Sequence, residues 1–248
     1  IDIHTGGEDN IFPHHECEIA QSESATGHSP FVRMWVHRRR IDLAAEDGEN
    51  GVQKMSKSLG NVLTLSDVVS AGYEPLDLRF LLGSVHYRTR LKFSWKGLDD
   101  AKKARHKILD WMREVLEWKP VAKGGVAVGD IEAWKNRFFD AMNADLNTPA
   151  ALATIFEFMA WTRNQTGFSA DALTALHKLT EDIEHTFGCF DLTSSPLNIP
   201  SDVQALLDQR QAARDAKDFT KSDELRDAIH KRGFEVKDTS VGQKVTKL

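Results

Sequence analysis

Cysteine is scarce: the 248 residues hold only Cys17 and Cys189. Two thiols are too few for a disulfide framework and fit a reducing compartment. No window approaches the roughly 18 uninterrupted apolar residues that a bilayer-spanning helix requires. No basic stretch followed by an apolar run and small residues opens the chain, so no secretory leader is signalled and a cytoplasmic location is expected. A cationic excess is missing too. The net charge of −5 and pI of about 6.1 exclude a protein coated in positive charge. Internal repeats and low-complexity tracts are absent, and with 41% hydrophobic and 28% charged residues the composition excludes a disordered tail or a collagen.

What is present reads as an ordered chain of two or three parts. Ile1-Asp2-Ile3-His4 already alternates as a strand, which suggests a fragment whose natural start lies upstream. That strand ends in Thr5-Gly6-Gly7, and Pro13 to Gln21 follows as a helix. Phe31 to His37 alternates again, with Phe31, Arg33, Trp35 and His37 on one side, as a strand's period of two requires. An acidic insertion, residues 44–51, leads into a Lys/Ser loop, and Ser66 is placed to cap a helix running to Ser70. Strand, helix, strand, helix is the order of a parallel sheet with crossovers.

Beyond about residue 95 helices take over. Leu98, Ala101, Ile108, Met112, Val115 and Leu116 share one helical face. Thr148 before Pro149 reads as a hydroxyl cap with proline in the first turn, and Leu152, Ile155, Phe156 and Met159 form the buried stripe that follows. Residues 121–130 and 193–200 read as connections. Ser201 and Gln204 read as a capping box ahead of Val203, Leu206 and Leu207. A helix near 221–231 ends at Gly233, before a short strand, Phe234 to Val236. The fold class expected is α/β then all-α: residues 1–94, then a helical bundle over 95–195, then a small α+β unit over 196–248.

Three local patterns point to chemistry. Lys54-Met55-Ser56-Lys57-Ser58, closed by Leu59-Gly60-Asn61, sets two ammonium groups three apart among hydroxyls, a loop suited to phosphates and to stabilising developing pyrophosphate charge. An arbitrary pentapeptide with two lysines is a chance loop, but this one resembles the second signature of class I aminoacyl-tRNA synthetases. In Phe12-Pro13-His14-His15-Glu16-Cys17-Glu18, His14 and Glu18 lie four apart on one helical face, where an imidazole and a carboxylate can share a metal ion or make a plain surface contact. His15 is expected to face elsewhere, and Cys17, about 100° around the helix from Glu18, to be a packed or idle thiol. Third, His4-Thr5-Gly6-Gly7-Glu8-Asp9 closes a strand at the edge where parallel sheets bind ligands, with Asp9 able to accept from a ribose hydroxyl; a simple turn is the alternative. From Arg79 to Lys107 nine Lys or Arg face only Asp99 and Asp100, either a nucleic-acid footprint or a solvated helical face.

Together, residues 2–9, 12–21 and 54–61 resemble the cysteinyl-tRNA synthetase family in order, spacing and identity. The resemblance continues through Asp77 to Phe80, His86 to Arg88, Asp145 to Leu152, Lys217 to Phe219 and Asp223 to Asp227. It implies the C-terminal half of a class I Rossmann-like catalytic domain, a tRNA-binding bundle and an anticodon-recognising unit. It also implies a cysteine–tRNA ligase using ATP with Mg2+, L-cysteine and tRNA(Cys), with no membrane partner. The alternatives are the mycothiol-pathway cysteine ligase, whose family lacks the last unit, and a non-catalytic tRNA-binding paralogue. By resemblance His14 and Glu18 match two zinc ligands, the metal taking the substrate thiolate that distinguishes cysteine from serine. Lys57 and Lys54 match the catalytic loop lysines. ATP binding falls to Lys54, Met55, Ser56, Lys57, Ser58, His4, Gly6, Gly7 and Asp9. The chain departs from the family in its longer stretch between His37 and Lys54, where Arg38-Arg39-Arg40 replaces a glycine-containing turn, and at its end, where a tryptophan is missing.

Overall fold

The computed structural model describes residues 1–44, 52–54, 62–192, 200–216, 218–239 and 242–247. The chain divides into two compact units, Ile1–Leu192 and Thr193–Leu248. The first opens with β1 (Ile3–Gly7), a 3-10 turn (Glu8–Asn10), an irregular turn (Ile11–His15) and α1 (Glu16–Thr26), then β2 (Met34–Arg38). β1 and β2 pair in parallel, with Ile3 opposite Met34 and Gly7 opposite Arg38. A crossover through α1 joins them, as parallel neighbours require. Gly27, at φ 68°, ends α1 in the left-handed conformation that glycine adopts without strain.

β3 (Ile41–Ala44) and β4 (Val52–Lys54) pair antiparallel, and β3 also pairs in parallel with β5 (Leu91–Phe93). Between them lie α2 (Leu65–Ser70) and α3 (Pro75–Gly83). Four helices follow: α4 (Trp95–Glu117), α5 (Val128–Asn143), α6 (Thr148–Arg163) and α7 (Ala170–Phe187). The first part is therefore mixed α/β and the second helical. Among the described residues no helix is long and apolar enough to cross a membrane.

The core explains the helix spacing. Leu98, Ile108, Trp111, Met112 and Val115 of α4 are buried against Phe138 of α5, Ile155 and Phe158 of α6, and Leu176 and Ile183 of α7. The Trp111 indole donates to Thr162 Oγ1 at 3.0 Å, locking α4 to α6 without an unpaired polar atom. Arg105 interrupts the apolar face of α4, yet it is buried: its Nε donates to Asp77 Oδ1 at 2.7 Å, its Nη1 to the Cys189 carbonyl at 3.2 Å, and Glu74 takes Nη2. Where α5 meets α6, Asp145 and Leu146 adopt φ of 59° and 53°, uncommon for residues with a side chain. The Tyr87 hydroxyl and Arg88 hold the Asp145 carboxylate and keep its pKa below the ordinary value.

The second unit holds α8 (Ser201–Asp215), α9 (Phe219–His230) and an antiparallel hairpin of β6 (Phe234–Thr239) and β7 (Gly242–Lys247). Val203, Leu207, Ile229, Phe234 and Val236 form its own core.

Several local expectations shift. The first strand starts at Ile3 rather than Ile1, and the second runs from Met34 rather than Phe31. The regular part of α1 begins at Glu16, but Pro13–His15 ahead of it are already helical behind an extended Phe12 (φ −132°, ψ 132°), so the turn expected from Pro13 is present as an irregular first turn. Thr64, not Ser66, caps α2; Asp67 accepts back from the Thr64 amide, completing a capping box. Asn147 caps α6, leaving Thr148 as its first residue, and Pro200 stands at the N-cap of α8 without a side-chain bond, so Ser201 forms no box. Leu116 is exposed. The connection expected over 121–130 is shorter, since α5 starts at Val128. Residues 193–199 and 45–51, and Lys217, lie outside the described residues.

Candidate metal and adenylate site

The site is built where β1, β2 and the start of α1 meet. β1 presents His4, β2 presents Trp35 and His37, and the turn before α1 presents His14 and His15 with Glu18 a turn later. His14 and Glu18 do converge: Nε2 and Oε1 lie 3.5 Å apart, with the His14 side chain 63% and that of Glu18 31% exposed. His4 reaches the same carboxylate from β1, its Nε2 lying 3.0 Å from Oε2. That oxygen is shielded from solvent and receives no well-aligned hydrogen bond, so the His4 contact is a close approach that leaves the acceptor unsatisfied.

His15 does not face elsewhere. It is only 4% exposed and donor atoms of His4, His15 and Glu18 all lie within 4.8 Å of one another. His15 Nδ1 shares a hydrogen bond with His37 Nε2 at 2.8 Å, and its ring sits 5.0 Å from that of His4 and 4.9 Å from Trp35. Burial lowers the His15 pKa; Glu18 opposes the shift, while His37, His4 and His14 reinforce it. A neutral imidazole with one nitrogen held by a neighbour is the form in which histidine ligates a metal. Imidazoles beside a carboxylate with an unsatisfied buried oxygen fit a borderline divalent cation such as zinc.

Gly6 leaves room for an imidazole: a Cβ there would stand 2.6 Å from His15 Cε1. Around Gly7 the same position is open. Asp9 lies exposed in the 3-10 turn. Cys17 is exposed rather than packed. Lys54 ends β4, opposite Asp42 of β3; Met55, Ser56, Lys57 and Ser58 lie outside the described residues.

Sequence reasoning missed His37 and the role of His15, because strand and turn meet only in the fold. Alternation along residues 31–37 had put Trp35 and His37 on one face, which was the available signal. The cationic stretch is less free than its count implies. Arg105 is buried, Lys103 and Lys96 pair with Asp99 and Asp100, and Arg88 pairs with Asp145.

Residues 1–103 match the family model described as the tRNA synthetases class I (C) catalytic domain, residues 137–191 the DALR domain, and residues 198–245 the cysteinyl-tRNA ligase anticodon binding domain. Those matches define the class: a class I tRNA synthetase sequence. Curated relatives named "Cysteine--tRNA ligase" include those of Protochlamydia amoebophila, 36% identical over 254 residues, and Leptospira interrogans, 36% over 253. That of Methanosarcina mazei is 37% identical over 256. These alignments cover 98–100% of the chain and 51–52% of each relative, so the chain spans about half the length of the curated relatives it matches. The chain belongs to the cysteine–tRNA ligase family.

Proposed function

We propose that this chain is part of a cysteine–tRNA ligase, which joins cysteine to AMP at the expense of ATP and then passes the cysteinyl group to a terminal ribose hydroxyl of tRNA(Cys). The approach of His4 and His14 to the two oxygens of the Glu18 carboxylate, beside the parallel pair of β1 and β2, carries this reading. His14 and Glu18 would hold zinc, which supplies affinity for a thiolate and so separates cysteine from serine. His4 and the partly buried His15–His37 pair position that carboxylate and the neighbouring imidazole. Lys57 and Lys54 carry the phosphate-directed charge, with Met55, Ser56 and Ser58 around them and Mg2+ accompanying ATP. Gly6, Gly7 and Asp9 border the adenylate.

The three family matches support a division into a class I catalytic part over 1–94, with a Rossmann-like layout, a tRNA-binding bundle over 95–195 and an anticodon-recognising unit over 196–248. The match over 198–245 weighs against the mycothiol-pathway ligase, and the assembled donor cluster weighs against a merely tRNA-binding paralogue. A translation enzyme of this kind works in the cytoplasm.

Cobalt(II) loaded in place of zinc gives a visible spectrum sensitive to sulfur ligation. L-Cysteine added to the cobalt-loaded chain should produce a thiolate charge-transfer band, and L-serine should not. Identical spectra with the two amino acids would remove the thiolate-selecting role.

A further inference from the structure

A cleft of about 510 Å³ lies between α3 and the ends of α6 and α7, and two arginines line it, Arg38 and Arg79. No carboxylate is among its lining residues. Each guanidinium spends one donor on the backbone: Arg38 Nη2 on the Leu82 carbonyl at 2.9 Å, Arg79 Nε on the Phe187 carbonyl at 2.8 Å. An arginine has five donors, so most remain. Neither is paired with a described acid, whereas the adjoining Arg39 and Arg40 are taken by Glu8 at 3.0 Å and Asp42 at 2.9 Å. Gly188, at φ +58°, leaves room for Arg79: a Cβ there would lie 3.0 Å from its Nη2. Burial lowers the pKa of Arg38, as expected for a cation drawn partly from water without a counter-charge.

The cleft is separate from the donor cluster. Side chains alternate along β2, so His37 turns to His15 while Arg38 turns to α3. The remaining wall is largely apolar, with Leu65, Leu78 and Leu82. Two guanidiniums in one cleft with a largely apolar wall suit a phosphate with a sugar attached. We infer that this cleft seats one backbone phosphate of an RNA strand, on the face of β2 opposite the metal and adenylate site. The assignment rests on the proposed action on tRNA. An open cleft with an exposed Arg79 fits a passing strand better than an enclosed free nucleotide.

The test is fluorescence anisotropy of the 248-residue chain with a labelled tRNA(Cys) transcript across a salt series. Arg38→Gln should weaken binding about tenfold, the value of a charge-assisted hydrogen bond, and lower the slope of log affinity against log salt by about 1. Leu65→Glu, at an exposed position, adds a carboxylate to the cleft without touching either arginine and should weaken binding in the same direction. Wild-type binding retained in full by both variants overturns the cleft assignment and leaves the ligase reading intact. The same retention with lost binding of free ATP moves the phosphate to a nucleotide and overturns the RNA assignment. A wild-type chain that binds no tRNA defeats the ligase reading, and the cleft assignment with it.

Discussion

The imidazole of His15 occupies the space that a side chain on Gly6 would need, with Cε1 2.6 Å and Nε2 2.9 Å from where a Cβ would stand. The glycine therefore fixes the ring of a buried residue that also touches His4, Trp35 and His37. Gly6→Ala should push His15 out of this cluster. Overpacking of that kind costs about 1–3 kcal/mol, to be read as a lower urea midpoint with unchanged slope. The same variant should bind cobalt(II) more weakly. An alanine variant as stable as the wild type would mean that His15 moves freely.

Glu18 gives an opposite combination of effects. Its Oε2 is buried without a well-formed hydrogen bond, an arrangement that costs stability in the absence of a cation. Glu18→Gln should leave the metal-free chain as stable or more so, while zinc affinity falls by at least about tenfold, since even outer partners of metal ligands are worth 10–100-fold. His14→Ala should lower affinity as well, and Cys17→Ala should not. Equilibrium dialysis with zinc and thermal melts with chelator present separate the two effects. A large loss of metal-free stability in Glu18→Gln would make the carboxylate structural.

The pairing of His14 with Glu18 was legible because both sit within one helical turn, where spacing alone determines direction. His4 and His37 join them from strands 10 and more residues away, and no local pattern states which strand lies beside which turn. Helix ends were legible by residue type but not always by position. Thr64 wins over Ser66 because Asp67 can answer it three residues later, and Asn147 precedes Thr148 because the carboxamide reaches the Ala150 amide. Arg38-Arg39-Arg40, noted only as replacing a glycine-containing turn, is dispersed by the strand's alternation onto three different partners. The buried Arg105 was misread for the same reason: its acids lie 28 and 31 residues earlier, on α3 and just before it.

That buried pair makes its own prediction. Arg105 is 1% and Asp77 0% exposed, so removing one partner strands the other charge away from water. Arg105→Met should cost about 3–5 kcal/mol, and Asp77→Leu added to it should restore much of the loss, because a buried ion pair is about as stable as an apolar pair of similar volume. A double-mutant cycle on urea unfolding reads the coupling. Additive losses in the double variant would show that the two side chains do not depend on each other.

The two thiols should differ sharply in reactivity. Cys17 is exposed on α1, whereas Cys189 is buried after α7, its pKa pushed up to about 12, chiefly by burial with the Glu184 carboxylate adding to it. The thiolate is the reacting species, so at pH 8 Cys189 is both sheltered and almost wholly protonated. One equivalent of a disulfide reagent should react rapidly with the native chain and a second only on unfolding. Cys17→Ala should abolish the fast phase. Because Cys189 lies beside the Arg105 bond to its own carbonyl, its slow phase reports opening of the α3–α4 junction, and Arg105→Met should accelerate it. Two fast equivalents in the folded wild type would contradict the burial of Cys189.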